Sequence, residues 1–90
     1  MKLSERARVL QQVIARQVGE ETVMLDLANG TYFSLDPVGA RIWQLLGEGK
    51  TLAEICEVMM AEYDVAGDEI ERDVLSLAEE LTARGLIAPA

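Results

Sequence analysis

Proton-transfer chemistry near neutral pH usually relies on histidine, and this chain of 90 residues has none. Its absence removes the usual general base, the Ser/His and Cys/His nucleophile pairs, and most zinc and haem ligation. The single cysteine, Cys56, lies at helical spacing beside Ile55 and Met59 with no base near it in sequence, so a buried structural thiol is expected. One cysteine forms no internal disulfide, which suits a reducing compartment. Asp64, Asp68, Glu69 and Glu71 are close together, but they lack the alternating ligands and twelfth-position Glu of an EF-hand and read as loop and capping acids. Glu79 and Glu80 fall on the solvent side of an amphipathic helix, and Met24, Met59 and Met60 read as core filler. The residues therefore point to a protein that is not an enzyme, with no cofactor or metal.

Recognition is the chemistry that remains. In Thr31-Tyr32-Phe33-Ser34-Leu35, Phe33 and Leu35 share one face of an extended segment while Tyr32 and Ser34 share the other. If this is the last strand of a sheet, its outer edge carries unpaired N–H and C=O groups with no Lys or Pro to blunt it. Such an edge invites a peptide to add as a strand. Five residues span only about 17 Å, so a longer peptide must run past the edge onto a second element. A 17-residue helix, about 25 Å long, is a suitable wall.

The elements that would position this edge are legible from local pattern. Thr22–Leu27 and Thr31–Leu35 flank Ala28-Asn29-Gly30, and Asn-Gly between such segments predicts a hairpin with a tight primed turn, positive in φ at both central residues. Val13–Val18 followed by Gly19-Glu20-Glu21 predicts one more strand and a turn; Leu3, Ala7, Leu10, Val13 and Ile14 also fit a helical stripe, so a short amphipathic helix is the alternative there. Asp36-Pro37 opens a helix with a cap and a proline at its first position, Val38, Ile42, Leu45 and Leu46 form its stripe, and Gly47 and Gly49 end it. Thr51-Leu52-Ala53-Glu54 is a capping box starting a second helix, with Leu52, Ile55, Cys56, Met59 and Tyr63 on one face. Asp68-Glu69-Ile70-Glu71 starts a third, with Ile70, Val74, Leu77, Ala78 and Leu81 as its stripe and Arg84-Gly85 as its close. Leu86 and Ile87 should fold back onto the core. The fold class expected is α+β, a three-stranded antiparallel sheet followed by three helices in a winged helix-turn-helix-like outline. Residues 1–12 form an N-terminal arm, 13–87 the domain and 88–90 a tail.

The formal net charge is -8, and it is unevenly placed. Residues 1–47 carry five acids and five bases, whereas residues 48–90 carry eleven acids against Lys50, Arg72 and Arg84, so the whole excess lies there. A winged-helix outline raises a DNA-binding regulator as an alternative function. The would-be recognition helix, Asp68–Arg84, has six acids against two arginines, which opposes phosphate contact, so no nucleic-acid partner is expected. A small enzyme subunit without independent activity is a further alternative. No apolar run is long enough for a secretory signal or a membrane span, so a cytoplasmic protein is expected.

The blocks Val23–Asp36, Val38–Leu46, Gly49–Leu52, Tyr63–Val65 and Arg84–Ile87, in this order and spacing, resemble the PqqD-like proteins, the RiPP recognition elements. The likeness spans about residues 13–87. It implies a three-stranded sheet on three helices that binds no DNA and instead binds the leader region of a ribosomally made precursor peptide. The leader adds to the third strand and lies beside the third helix, and the precursor is presented to a leader peptidase in lasso-peptide systems or to a radical SAM enzyme in pyrroloquinoline quinone pathways. Carried to this chain, the docking edge is Thr31, Tyr32, Phe33, Ser34 and Leu35, and the wall draws on Val74, Leu75, Ala78 and Thr82. Val74 and Ala78 also belong to the core stripe, so their share in the wall stays open. A monomer or weak homodimer is expected.

Overall fold

The computed structural model describes residues 1–90. Its central sheet is built from β2 (Val13–Val18), β3 (Glu21–Asp26) and β4 (Thr31–Leu35), antiparallel and in the order β2-β3-β4. The strand alternative at Val13–Val18 is the one that forms. Gly19-Glu20 closes the first hairpin with Gly19 at φ +64°, the positive φ that a two-residue loop with glycine first requires. The second hairpin departs from the primed turn expected. Asp26 pairs with Thr31, so the loop has four residues, Leu27–Gly30, and only Gly30 takes positive φ. The carboxylate of Asp26 accepts from the Ala28 amide at 3.0 Å, the Asn29 side chain accepts from Thr31 at 3.0 Å, and Gly30 donates to the Asp26 carbonyl at 2.8 Å. Side-chain acceptors two residues back hold this longer turn without a second left-handed residue.

Three helices come next in the chain: α1 (Pro37–Gly47), α2 (Leu52–Glu62) and α3 (Gly67–Ala83). Asp36 caps α1 through Gly39 N–H at 2.8 Å, with Pro37 in the first turn. Thr51 and Glu54 form the reciprocal capping box of α2. Gly49 and Gly85, at φ +85° and +72°, turn the chain out of α1 and α3, as helix ends require. The core joins Met24 and Leu35 of the sheet to Ile42, Leu45 and Leu46 of α1, Leu52, Ile55, Cys56 and Met59 of α2, and Ile70, Val74, Ala78 and Leu81 of α3. Three residues read as interior are not: Val38 and Met60 are exposed, and Tyr63 is the exposed C-cap of α2. Trp43, absent from the stripe read in sequence, is buried.

The two ends of the chain pair with each other. β1 (Ala7–Val9) pairs antiparallel with β5 (Ile87–Pro89) in a second, two-stranded sheet, so residues 88–90 do not trail free; Ala90 donates to the Arg6 carbonyl at 2.9 Å. Residues 1–6 brace α2. The Leu52 and Ala53 amides, first-turn donors without helical partners, bond the carbonyls of Glu5 at 2.9 Å and Leu3 at 2.8 Å. With Glu54 N–H on Thr51, this accounts for the free donors that a helix N-terminus presents. No helix is long and apolar enough to cross a membrane.

Candidate functional site

The strand order leaves β4 bonded to β3 on one side and unpaired on the other. Register assigns its two faces: Phe33 stands across from Met24 on the core side, while Tyr32 stands across from Leu25, itself opposite Ile14, on the outer side. Along the core side of β4 runs an open groove of about 450 Å³. Phe33, Ser34 and Leu35 form its strand wall, and Met24, Ile42 and Leu81, all buried, form its floor. Asp73, Ser76, Leu77 and Glu80 of α3 form the opposite wall, and Asp36, Val38 and Gly39 close the end at the start of α1.

Helical geometry explains why these α3 residues face the groove. The buried stripe is Ile70, Val74, Ala78 and Leu81; positions 73, 77, 80 and 84 recur at steps of three and four and form the neighbouring stripe, which a helix seated on its core side turns toward the strand. Of the expected wall, Val74 and Ala78 are core residues, Leu75 is half-buried, and Thr82 turns its hydroxyl back to the Ala78 carbonyl at 2.7 Å. None of these four is among the residues that line the groove. Of the expected strand residues, Phe33, Ser34 and Leu35 line it, Tyr32 is 70% exposed on the other face, and Thr31 is exposed beside the hairpin loop. Asp36, Val38, Gly39, Asp73, Ser76, Leu77 and Glu80 complete the groove unforeseen. The spacing signal for the α3 members was present as the stripe flanking the apolar one.

Charge along the groove is graded. At the Phe33 end, the Arg84 guanidinium lies 4.3 Å from the ring centroid and 3.3 Å from the Glu80 carboxylate, a stacked cation beside its counter-charge. At the other end, Asp36 is engaged by the α1 amide, while Asp73 has no ion-pair partner. A second open concavity, of about 690 Å³, lies on the far side of α1, among Gln17, Glu20, Trp43, Gln44 and Tyr63. Its rim is fixed by Arg41, whose guanidinium takes both oxygens of Glu62, one at 2.8 Å. That hydrogen-bonded pairing holds the Glu62 carboxyl below its ordinary range and raises Arg41. Burial, then the charge of Glu71, pushes the Cys56 thiol up, as an inert interior thiol should be. No group of three or more histidine, cysteine or carboxylate side chains is arranged to hold a metal ion. The arrangement offers a backbone edge, an apolar floor and an acidic rim: a surface for holding an extended chain.

Known proteins share this architecture. Residues 21–87 match the family model of coenzyme PQQ synthesis protein D (PqqD). A solved structure of TbiB1 in complex with the TbiA(beta) leader peptide is similar at 40% identity and a TM-score of 0.85, over 89% of this chain and 93% of that one. A structure of lasso peptide synthetase B1 complexed with the leader peptide is similar at 28% identity and a TM-score of 0.86, over 93% of this chain and 99% of that one. No curated protein sequence matches the chain.

Proposed function

We propose that this chain, which belongs to the PqqD family, captures the leader segment of a ribosomally made precursor peptide and presents it to a modifying enzyme. The observation that carries the reading is the unpaired edge of β4 standing over an apolar-floored groove. Strand addition there gives affinity through backbone hydrogen bonds, which are indifferent to sequence, and selectivity through alternate side chains that enter the groove. Two similar proteins, each in complex with a leader peptide, support this occupant over a nucleic acid, as does the acidity of α3.

The chain does no bond-making in this reading. Its contribution is local concentration: a precursor held by its leader meets the enzyme as part of one complex. A leader peptidase of a lasso system is the better-supported enzyme, since one similar structure is a lasso peptide synthetase B1; a radical SAM enzyme is the partner that the PQQ description would favour. Precursors are made on ribosomes, so the reading puts the protein in the cytoplasm.

The test is a titration of isotope-labelled protein with the TbiA(beta) leader peptide, the ligand of the similar TbiB1. Amide shifts should concentrate in Thr31–Leu35 and in the Asp73–Leu81 stretch of α3. Shifts confined to the second concavity, at Gln17, Glu20 and Tyr63, would sink the model.

A further inference from the structure

We infer that the groove selects a peptide carrying a lysine or arginine at the N-terminal end of its docked strand, with apolar side chains at the alternate positions after it, and that Asp73 reads the charge. The inference rests on strand addition at β4.

Four ionisable groups border the groove: Asp36, Asp73 and Glu80 in its lining, and Arg84 over Phe33. Arg84 and Glu80 offset each other at 3.3 Å, so that end presents no net charge. Asp36 is tied to the Gly39 amide at 2.8 Å, where it offsets the positive end of α1. Asp73 is exposed and has no ion-pair partner. The groove is thus acidic at one end only, and the acidity resides chiefly in one side chain.

Position then fixes which part of a peptide meets it. Asp73 and Arg84 lie eleven residues apart on one stripe of α3, about 16 Å, the length of roughly five extended residues. From Phe33 the groove extends toward Leu35, Asp36 and Val38 and not toward Thr31, so Asp73 belongs to the Leu35 end. An antiparallel strand laid on β4 starts beside Leu35, because β4 ends there. Antiparallel addition continues the pattern of the sheet and is the commoner and stronger pairing. The residue beside Asp73 is therefore N-terminal in the docked segment, and the next inward-facing residues point at Leu77, Leu81 and Phe33.

The probe is a phage-displayed library of random dodecapeptides, selected in parallel on the wild-type protein, Asp73→Asn and Asp73→Lys. Because Asp73 is exposed, both variants should fold, which circular dichroism verifies. Wild type should enrich Lys or Arg at least threefold on the N-terminal side of an alternating apolar pair. Asp73→Asn should lose that enrichment, and Asp73→Lys should replace it with Asp or Glu at the same place. A wild-type-selected peptide should bind Asp73→Lys about three- to tenfold more weakly, the scale of a rim charge pair. Equal basic enrichment on all three proteins, or none on wild type, overturns the role of Asp73. Amide mapping with the selected peptides separates the two ideas: shifts at Thr31–Leu35 without charge bias overturn this inference alone, whereas shifts that leave β4 untouched overturn strand capture as well.

Discussion

Phe33 and Tyr32 are adjacent in sequence and differ in everything that matters for the groove. Phe33 is half-buried over the groove floor, with Arg84 on its ring, whereas Tyr32 is exposed on the outer face. A buried charge at Phe33 removes an apolar wall worth about 1.5–3 kcal/mol, so Phe33→Glu should weaken leader binding at least tenfold. Tyr32→Glu should change it less than about threefold, since a lone surface substitution usually acts within 0.5 kcal/mol. Calorimetric titration of both variants, each first shown to melt cooperatively, decides the matter; equal losses would mean that the peptide does not use the groove face. The alternation that separates these residues was readable from the strand alone. Which α3 residues line the groove was not, because a helical step of about 100° leaves either flank of the apolar stripe open, and only the seating of the helix chooses between them. Cys56 was readable too. Buried at 3% exposure with its thiol pushed up by burial, it should resist a thiol reagent at pH 8 in the native protein and react within minutes in 6 M guanidinium. Rapid native labelling would show that α2 opens locally.

Whole elements were legible where the signal was local. Asn29-Gly30, the Asp36-Pro37 start and the Thr51 capping box each announce themselves within four residues, and each marks an element boundary in the fold. The turn geometry around Gly30 was not legible, because the choice between a two- and a four-residue loop depends on how Asp26 and Asn29 side chains are used. Nor were β1 and β5. Their pairing joins Ala7 to Pro89, strands of three residues at opposite ends of the chain, with no pattern long enough to register. The consequence is a stability prediction. Deleting residues 1–9 strips β5 of its partner, leaves Leu52 and Ala53 amides without acceptors and uncovers Ile87. The bonds of Leu52, Ala53 and Ala90, the β1–β5 ladder and the burial of Ala7 are lost together, a cost of at least about 2–4 kcal/mol, which urea melts should register as a lower midpoint. An unchanged midpoint would mean that the arm is dispensable. The helix junctions add a pH dependence. Glu54, bonded by Thr51, and Glu62, bonded by Arg41, are both held below the ordinary carboxyl range. A depressed folded value stabilises above the unfolded pKa, about 4.3, and that contribution disappears as pH falls through the folded value. The melting temperature should therefore fall below about pH 4, and Arg41→Ala should flatten part of that limb.

At the scale of the whole molecule, charge is the organising quantity. The first 47 residues, which include the central sheet and α1, sum to zero, and the excess of -8 is carried by residues 48–90. The fold sets these halves face to face across the groove: the strand wall comes from the neutral part, and the acidic α3 supplies the wall opposite. An approaching peptide with basic residues meets a one-sided negative field before it meets any contact. Fields of this kind act on encounter more than on the lifetime of the complex, and salt screens them with a length of about 10 Å at 0.1 M. Stopped-flow association of a fluorescent leader should slow about three- to tenfold between 20 mM and 500 mM salt, while its dissociation rate changes far less. The Asp73→Lys variant should show a shallower slope with the same peptide, because the reversed charge sits at the mouth through which the basic end enters. If association is indifferent to ionic strength, the acidic half serves solubility and the groove recruits its peptide by backbone pairing and apolar contact alone.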